Sequence, residues 1–295
     1  MATLTLIDTS GFVYRAYYAL PAMTLDPTDP TSQAVNALYG YTKVSMALAR
    51  ERFADDEPHY VAAVFDGHRR GADARSALDP QYKANRKPLP PELSSQFPLV
   101  REAAAALGLN PVVAPGVEAD DLIATYAHEA RAAGMDVCVL SSDKDLFFLL
   151  ARGCTIWDPL KAQPITDETV RAKFGVDPAL VPEVLALMGD ASDNIPGVAG
   201  IGAKTAAALV QRFGTVDNVL ANAHDAGKPK IVEALRRYAD AARTSRKLVE
   251  LRTDVPLPMA IPDLDYKRPG ADVLQAFLER FRFVSLMDEH ARAAA

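Results

Sequence analysis

The chain has little cysteine, no long apolar run and no surplus of positive charge, and each shortage excludes something. Two cysteines in 295 residues, Cys138 and Cys154, are too few for the disulfide frameworks that hold small secreted domains together. Cys138 lies in the run Val137-Cys138-Val139-Leu140, where it reads as a small buried hydrophobe. No apolar run approaches the roughly 18 residues of a membrane span, so no membrane association is expected. The opening MATLTLIDTS lacks a basic n-region and reads as a strand, so export is not expected. The 5 histidines are scattered without metal-ligand spacing. There is no tandem repeat, and no low-complexity segment beyond the alanine tail. A net charge of −6 by itself argues against a nucleic-acid binder. A cluster of metal-binding carboxylates, however, makes a free protein acidic, and bound cations then reverse the local field.

What is present is an ordinary globular composition, 49% hydrophobic and 24% charged, in a length that suits one large domain or one domain with a smaller appendage. Positive charge is concentrated. Residues 69–87 carry Arg69, Arg70, Arg75, Lys83, Arg86 and Lys87 against Asp73 and Asp79. Residues 228–252 carry Lys228, Lys230, Arg236, Arg237, Arg243, Arg246, Lys247 and Arg252 against Glu233, Asp240 and Glu250. Either stretch alone also reads as a solvated helix face.

Leu4–Ile7, Tyr60–Phe65 and Val137–Leu140 read as buried strands. Helical patterns cover Gly11–Ala19, Ser32–Ala49, Glu92–Ala106 and Ala119–Ala133. Strands separated by helices predict an α/β fold with a mostly parallel central sheet flanked by helices, here over residues 1–165. Residues 67–98 interrupt it as a polar, basic connection ending at Pro88, Pro90 and Pro91, of the kind that is usually functional. Residues 166–295 read as mostly helical. Asp177-Pro178 starts a helix that runs to about Met188. A glycine-punctuated turn follows, then a helix over Ala203–Phe213 that stops at Gly214. A proline-rich extended piece at 255–269 and an amphipathic helix near 270–281 complete the reading.

The strands end on acids. Leu4–Ile7 runs into Asp8, Tyr60–Phe65 into Asp66, and Val137–Leu140 through Ser141-Ser142 into Asp143 and Asp145. In an open parallel sheet, ligands bind beyond the carboxyl ends of the strands. Glu118, Asp120 and Asp121 open the helix from Ala119. Helix-dipole compensation accounts for one or two such acids but not for three in four positions. Asp190 and Asp193 follow the helix ending near Met188. Asp55-Asp56-Glu57 precedes a strand and reads as a solvated loop. Nine converging carboxylates would repel one another, and divalent cations remove that cost. All-oxygen donors favour Mg²⁺ or Mn²⁺ over zinc, and shared carboxylates suit two-metal phosphoryl chemistry.

The motifs resemble those of the 5′ nuclease family, which includes the 5′ nuclease domain of bacterial DNA polymerase I, the flap endonucleases and the phage 5′–3′ exonucleases. The resemblance is carried by Ile7-Asp8 with Tyr14-Arg15-Ala16-Tyr17; by Val64-Phe65-Asp66; by Tyr82-Lys83-Ala84-Asn85-Arg86; by Gly116-Val117-Glu118-Ala119-Asp120-Asp121; by Ser142-Asp143-Lys144-Asp145-Leu146; and by the run from Leu187 to Gly197. It implies a PIN-like 5′ nuclease fold with a C-terminal helix–hairpin–helix region at 190–213, and an arch or clamp made by residues 67–98.

It further implies that Asp8, Asp66, Glu118 and Asp120 hold one Mg²⁺ and that Asp143, Asp145 and Asp193 hold a second. Asp120 and Asp143 would bridge the two, Asp121 and Asp190 would act through water, and Mn²⁺ would substitute. Lys83 and Arg86 would stabilise the phosphate, and Arg75 would hold the threaded strand. Arg15 and Tyr82 would contact DNA. Tyr14, with Tyr17 and Tyr18, would stack on an unpaired base or simply be core. Gly197, Gly200, Gly202, Lys204 and Thr205 would bind duplex backbone at a helix N-terminus, with K⁺ held by carbonyls, and the basic stretch 228–252 would extend that contact. The expected activity is 5′–3′ exonuclease and flap-endonuclease cleavage to 5′-phosphate and 3′-hydroxyl ends. The expected partner is DNA with 5′ ends, flaps or nicks. The expected setting is a monomer in the cytoplasm, at the nucleoid if bacterial, working beside a DNA polymerase. The rival readings are a catalytically weak DNA-junction binder and a PIN-type ribonuclease.

Overall fold

A computed structural model describes residues 2–53, 59–67, 74–159 and 161–294. The loop expected at Asp55-Asp56-Glu57, and Arg69 and Arg70 of the basic connection, lie outside the described residues. The chain begins β1 (Thr3–Asp8), α1 (Thr9–Ala19), α2 (Asn36–Arg52), β2 (His59–Phe65), α3 (Ala74–Leu78), α4 (Pro91–Ser94), α5 (Phe97–Ala106) and β3 (Pro111–Val113). It continues through α6 (Ala119–Ala132), β4 (Asp136–Leu140), β5 (Thr155–Asp158), β6 (Gln163–Ile165), α7 (Asp167–Phe174) and α8 (Val181–Met188). The last elements are α9 (Ala203–Phe213), α10 (Val216–Ala221), α11 (Pro229–Arg237), α12 (Ala239–Val249), α13 (Ala271–Arg280) and α14 (Val284–Ala294). The fold is α/β, with mostly parallel strands and many helices. Two compact units are interleaved along it. One comprises Met1–Asp66, Pro88–Val113 and Leu257–Ala295, and the other Gly67–Lys87 and Ala114–Pro256.

In the first unit β2 runs parallel to both β1 and β3, with Asp8 opposite Val64. Leu4, Leu6, Ile7 and Val61 to Val64 are fully buried. Parallel strands covered on both faces need such continuous apolar runs, which is why the sequence shows them. Helix α1 leaves β1 at once, because Asp8 is both the last strand residue and the N-cap position. Helix α2 packs against α1 at Gly40, where a Cβ would lie only 2.6 Å from the Ala16 Cβ. Two predicted helices begin later or break. The Ser32 pattern becomes helical only at Asn36, because Ser32 accepts from the Asp26 amide at 3.0 Å and Leu25 N–H bonds Gln33 at 2.9 Å, folding 24–34 into a hairpin. The Glu92 pattern splits into α4 and α5, since Pro98 has no N–H with which to continue the ladder. The buried Gln96 at that break accepts from Leu38 N and donates to Asn36, both at 3.0 Å, satisfying free groups in the first turn of α2.

In the second unit β4 and β5 are parallel and β6 returns antiparallel to β5. The helix expected from Asp177 is a 3-10 turn at Pro178–Leu180 followed by α8, restarted by Pro182. Helix α9 ends at Gly214 as its sequence predicts, with Gly214 N–H bonded to Val210 at 2.7 Å.

Candidate metal centre

Six of the nine predicted acids gather in the second unit as two triads. Glu118, Asp120 and Asp121 each offer an oxygen within 4.8 Å of the others, and so do Asp145, Asp190 and Asp193. Glu118 takes the N-cap position of α6, so Asp120 and Asp121 fall in the first turn, and Asp120 accepts from the Asp121 amide at 2.7 Å. Asp143 caps the 3-10 turn Lys144–Arg152, accepting from Asp145 N at 3.1 Å. It is exposed and is not one of the three acids of the second triad. Asp190 and Asp193 sit on a loop closed by paired backbone bonds between Asp190 and Ile195, 2.9 and 2.8 Å.

The first unit carries Asp8 and Asp66 at the carboxyl ends of neighbouring parallel strands. Ser10, which the sequence did not single out, donates to Asp66 at 2.6 Å. Tyr14 lies edge-on to Phe97 at 6.1 Å, and Tyr17 edge-on to Tyr18 at 5.0 Å. Tyr14, Arg15 and Tyr18 are exposed on α1, and Tyr17 is half-buried.

The basic segment is fastened to the acids. Lys83 N bonds the Asp193 carbonyl at 2.8 Å, Asn85 the Ala191 carbonyl at 2.7 Å, and Asn194 the Gln81 carbonyl at 2.6 Å. Lys83 and Asn194 both adopt the left-handed conformation this stitching requires. The Lys83 ammonium pairs with Glu118 and lies 3.7 Å from Asp193, and Arg86 pairs with Asp193 at 2.5 Å. Two residues expected to contact DNA, Tyr82 and Arg75, are turned inward in this structure. Tyr82 is buried against Ile195 and Leu248, and its hydroxyl donates to Glu118 at 3.1 Å. The Arg75 guanidinium is buried between Glu118, 2.6 Å, and Asp121, 2.7 Å, and also donates to the carbonyls of Leu248 and Glu250, each at 2.8 Å. A buried cation needs every donor used, and these partners use them.

Crowded charge has the expected consequences. Burial, and then the Glu118 charge, push the Asp120 carboxyl up. Burial and Asp143 push Asp145 up to about 7. Burial alone would lower Lys83, but Glu118, Asp193 and Asp120 outweigh it and hold the ammonium charged; Asp193 does the same for Arg86. Triads of carboxylate oxygens with no cysteine or histidine suit a hard divalent ion, whose oxygen ligands sit at about 2.0–2.6 Å, so the residues fit Mg²⁺ or Mn²⁺.

At the turn before α9, Gly197 and Gly200 have positive φ. A Cβ on Gly197 would lie 2.3 Å from Gly189 N, so that glycine is required by backbone packing within the protein. Its N–H donates to Ser245 at 3.0 Å. Gly200 and Gly202 face open space, Lys204 is exposed and Thr205 is half-buried.

Comparison with known proteins agrees with this geometry. The chain matches the N-terminal resolvase-like domain of the 5′–3′ exonucleases over residues 3–175, and their C-terminal SAM fold over residues 176–272. DNA polymerase I of Rhizobium leguminosarum is 39% identical over 293 residues, covering 98% of this chain and 28% of that protein. The 5′–3′ exonuclease of Aquifex aeolicus is 34% identical over 289 residues, covering 98% of this chain and 95% of the relative. The solved structure of T5 5′-exonuclease with bound divalent metal ions (zinc) shares the fold with a TM-score of 0.67 at 23% identity, covering 95% of this chain and 98% of that one. The fold and the acidic triads thus define a nuclease class. The chain belongs to the 5′–3′ exonuclease family. It spans only 28% to 32% of the length of the DNA polymerase I relatives from Rhizobium leguminosarum and Bacillus caldotenax.

Proposed function

We propose that this chain is a divalent-metal-dependent 5′ nuclease that cleaves DNA at 5′ ends, flaps and nicks, leaving 5′-phosphate and 3′-hydroxyl ends. One observation carries the proposal: two carboxylate triads lie in one unit, with Lys83 and Arg86 of a single basic segment held against them. The ions would be two Mg²⁺, with Mn²⁺ as substitute. When bound, they supply a lowered pKa for water and positive charge against the charge that develops on the phosphate.

The chain's own groups do the rest. Lys83 and Arg86, kept charged by Glu118 and Asp193, neutralise phosphate oxygens as the reaction proceeds. Arg75 and Tyr82 act indirectly, by orienting Glu118 and Asp121. For Asp8, Asp66 and Asp143 as ligands, the proposal rests on the motif resemblance and family membership. The open turn at Gly200 and Gly202, with Lys204 and Thr205 at the start of α9, would bind duplex backbone without reading sequence, with K⁺ at its carbonyls. Tyr14 would stack on an unpaired base and Arg15 would contact backbone. Residues 1–165 would be the catalytic region and 166–295 the DNA-binding region, acting as a monomer in the cytoplasm beside a DNA polymerase.

The test is product mapping on a 5′-flap duplex and on a nicked duplex, with Mg²⁺, with Mn²⁺ and with chelator. Cleavage should need the ion, and Asp143→Ala should nearly abolish it. Cleavage that persists in chelator would overturn the metal dependence. Preference for an RNA flap would make the chain a ribonuclease.

A further inference from the structure

Lys144 stands in sequence between two of the acids, Asp143 and Asp145. Its Nζ lies 2.7 Å from Asp190 Oδ2 and 3.7 Å from Asp145 Oδ1. The other Asp190 oxygen, Oδ1, accepts from Ser192 N at 2.8 Å and from Ser192 Oγ at 2.6 Å. Both oxygens of Asp190 therefore already hold donors, and the backbone of Asp190 is locked to Ile195 on both sides. The cations are divided as well. Within the second triad Lys144 answers Asp190 and Asp145, whereas Arg86 and Lys83 stand against Asp193.

We propose that Lys144 is a positioning residue, which holds Asp190 in an ion pair off the metal and reduces the negative charge that a divalent ion bound through Asp145 and Asp193 meets. This rests on the metal-dependent reading above and adds a residue whose work is to temper metal affinity. An ion held too tightly is slow to exchange, so a nearby ammonium trades affinity for turnover.

The consequences are opposite to those of a prop for the fold. Lys144→Met removes a positive charge beside the ion and frees an Asp190 oxygen, so Mn²⁺ should bind at least about tenfold more tightly, or about 1.4 kcal/mol. Lys144→Arg should stay within about threefold of the parent, since it keeps the charge. The double variant K144M/D190N removes both partners of the pair and keeps the net charge. Taking out both partners of an ion pair costs little, so it should also bind within about threefold.

The experiment is Mn²⁺ titration of the DNA-free full chain, with free Mn²⁺ counted by electron paramagnetic resonance, alongside circular-dichroism melts. Asp193→Asn serves as the reference that should lose the ion of the second triad. Unchanged or weaker Mn²⁺ affinity in a folded K144M would overturn the proposal. So would a tenfold loss in K144M/D190N, because that would place Asp190 on the ion; this variant decides the matter if K144M alone does not fold. Absence of Mn²⁺ binding by the parent chain, or full binding by Asp193→Asn, would instead bring down the metal-dependent reading itself, and with it this one.

Discussion

Arg75 and Asp121 meet as a buried two-point ion pair, with Nη1 2.9 Å from Oδ2 and Nη2 2.7 Å from Oδ1. The pair ties α3, at the base of the basic segment, to the first turn of α6. The remaining guanidinium bonds reach the chain leaving α12. Removing one member of such a pair leaves a buried charge alone, at a cost of about 3–5 kcal/mol. Arg75→Met should therefore lower the melting temperature sharply, and Arg75→Lys should recover only part of it because lysine cannot bond both oxygens in a fork. Urea denaturation measures this directly. A melting curve like that of the parent would show that the pair contributes nothing to the fold.

Lys83 is placed to act on chemistry more than on binding. Its ammonium is drawn to Glu118 and Asp193. Lys83→Ala should slow flap cleavage by about 100-fold or more, as the loss of a group that stabilises transition-state charge does. Duplex affinity should change by less than about threefold, since one phosphate contact among many is a small part of the total. Single-turnover rates and binding isotherms on the same substrate separate the two. Equal losses in both would make Lys83 a DNA-positioning residue.

Asp145 makes stability depend on pH when no divalent ion is present. Burial and Asp143 raise its carboxyl to about 7, above the unfolded value of about 3.9. The folded state then holds its proton more tightly than the unfolded chain. That contribution is complete below about pH 4 and is lost as pH rises through 7. In chelator, the parent should lose stability relative to Asp145→Asn between about pH 4 and pH 8. Asp120, raised for the same reasons, acts in the same direction. Parallel curves for parent and variant across that range would show no such linkage.

Saturating Mg²⁺ or Mn²⁺ should raise the melting temperature, because an ion that binds only the folded state stabilises it by about 2.7 kcal/mol at a hundredfold excess over Kd. Asp193→Asn should lose the part of this gain that the second triad's ion supplies. Differential scanning calorimetry with and without the ion provides the comparison.

Gly197 and Gly200 share the left-handed conformation but not its cause. Gly197→Ala drives a methyl group into Gly189, so it should destabilise the loop by well over the about 1 kcal/mol that left-handed strain alone costs. It should also disturb Asp190 and Asp193 beside it, and cleavage with them. Gly200→Ala meets open space and should cost only the strain. Melts of both variants decide between the two causes.

Much of the fold was legible. The three predicted strands are present, each within a residue or so, because buried parallel strands leave unbroken apolar runs. β5 and β6 were not legible: four and three residues are too few to show a period. Helix α14, beyond the expected last helix, was also missed. Tyr82 and Arg75 were read as DNA contacts because a basic segment with an aromatic looks alike whether its side chains face solvent or core.

By itself the sequence put Asp8 and Asp66 at the carboxyl ends of strands, since a buried strand leaves an unbroken apolar run before them, and the order of its motifs pointed to the family. Only the tertiary structure decided how those acids are grouped and which cations answer them. Asp143 caps the turn that carries Asp145, Asp190 pairs with Lys144, and Arg75 is clamped between Glu118 and Asp121. The physical reason is distance along the chain. Arg75 and Asp121 are 46 residues apart, and Arg86 and Asp193 are 107, far beyond any local periodicity, so only packing can bring such partners together.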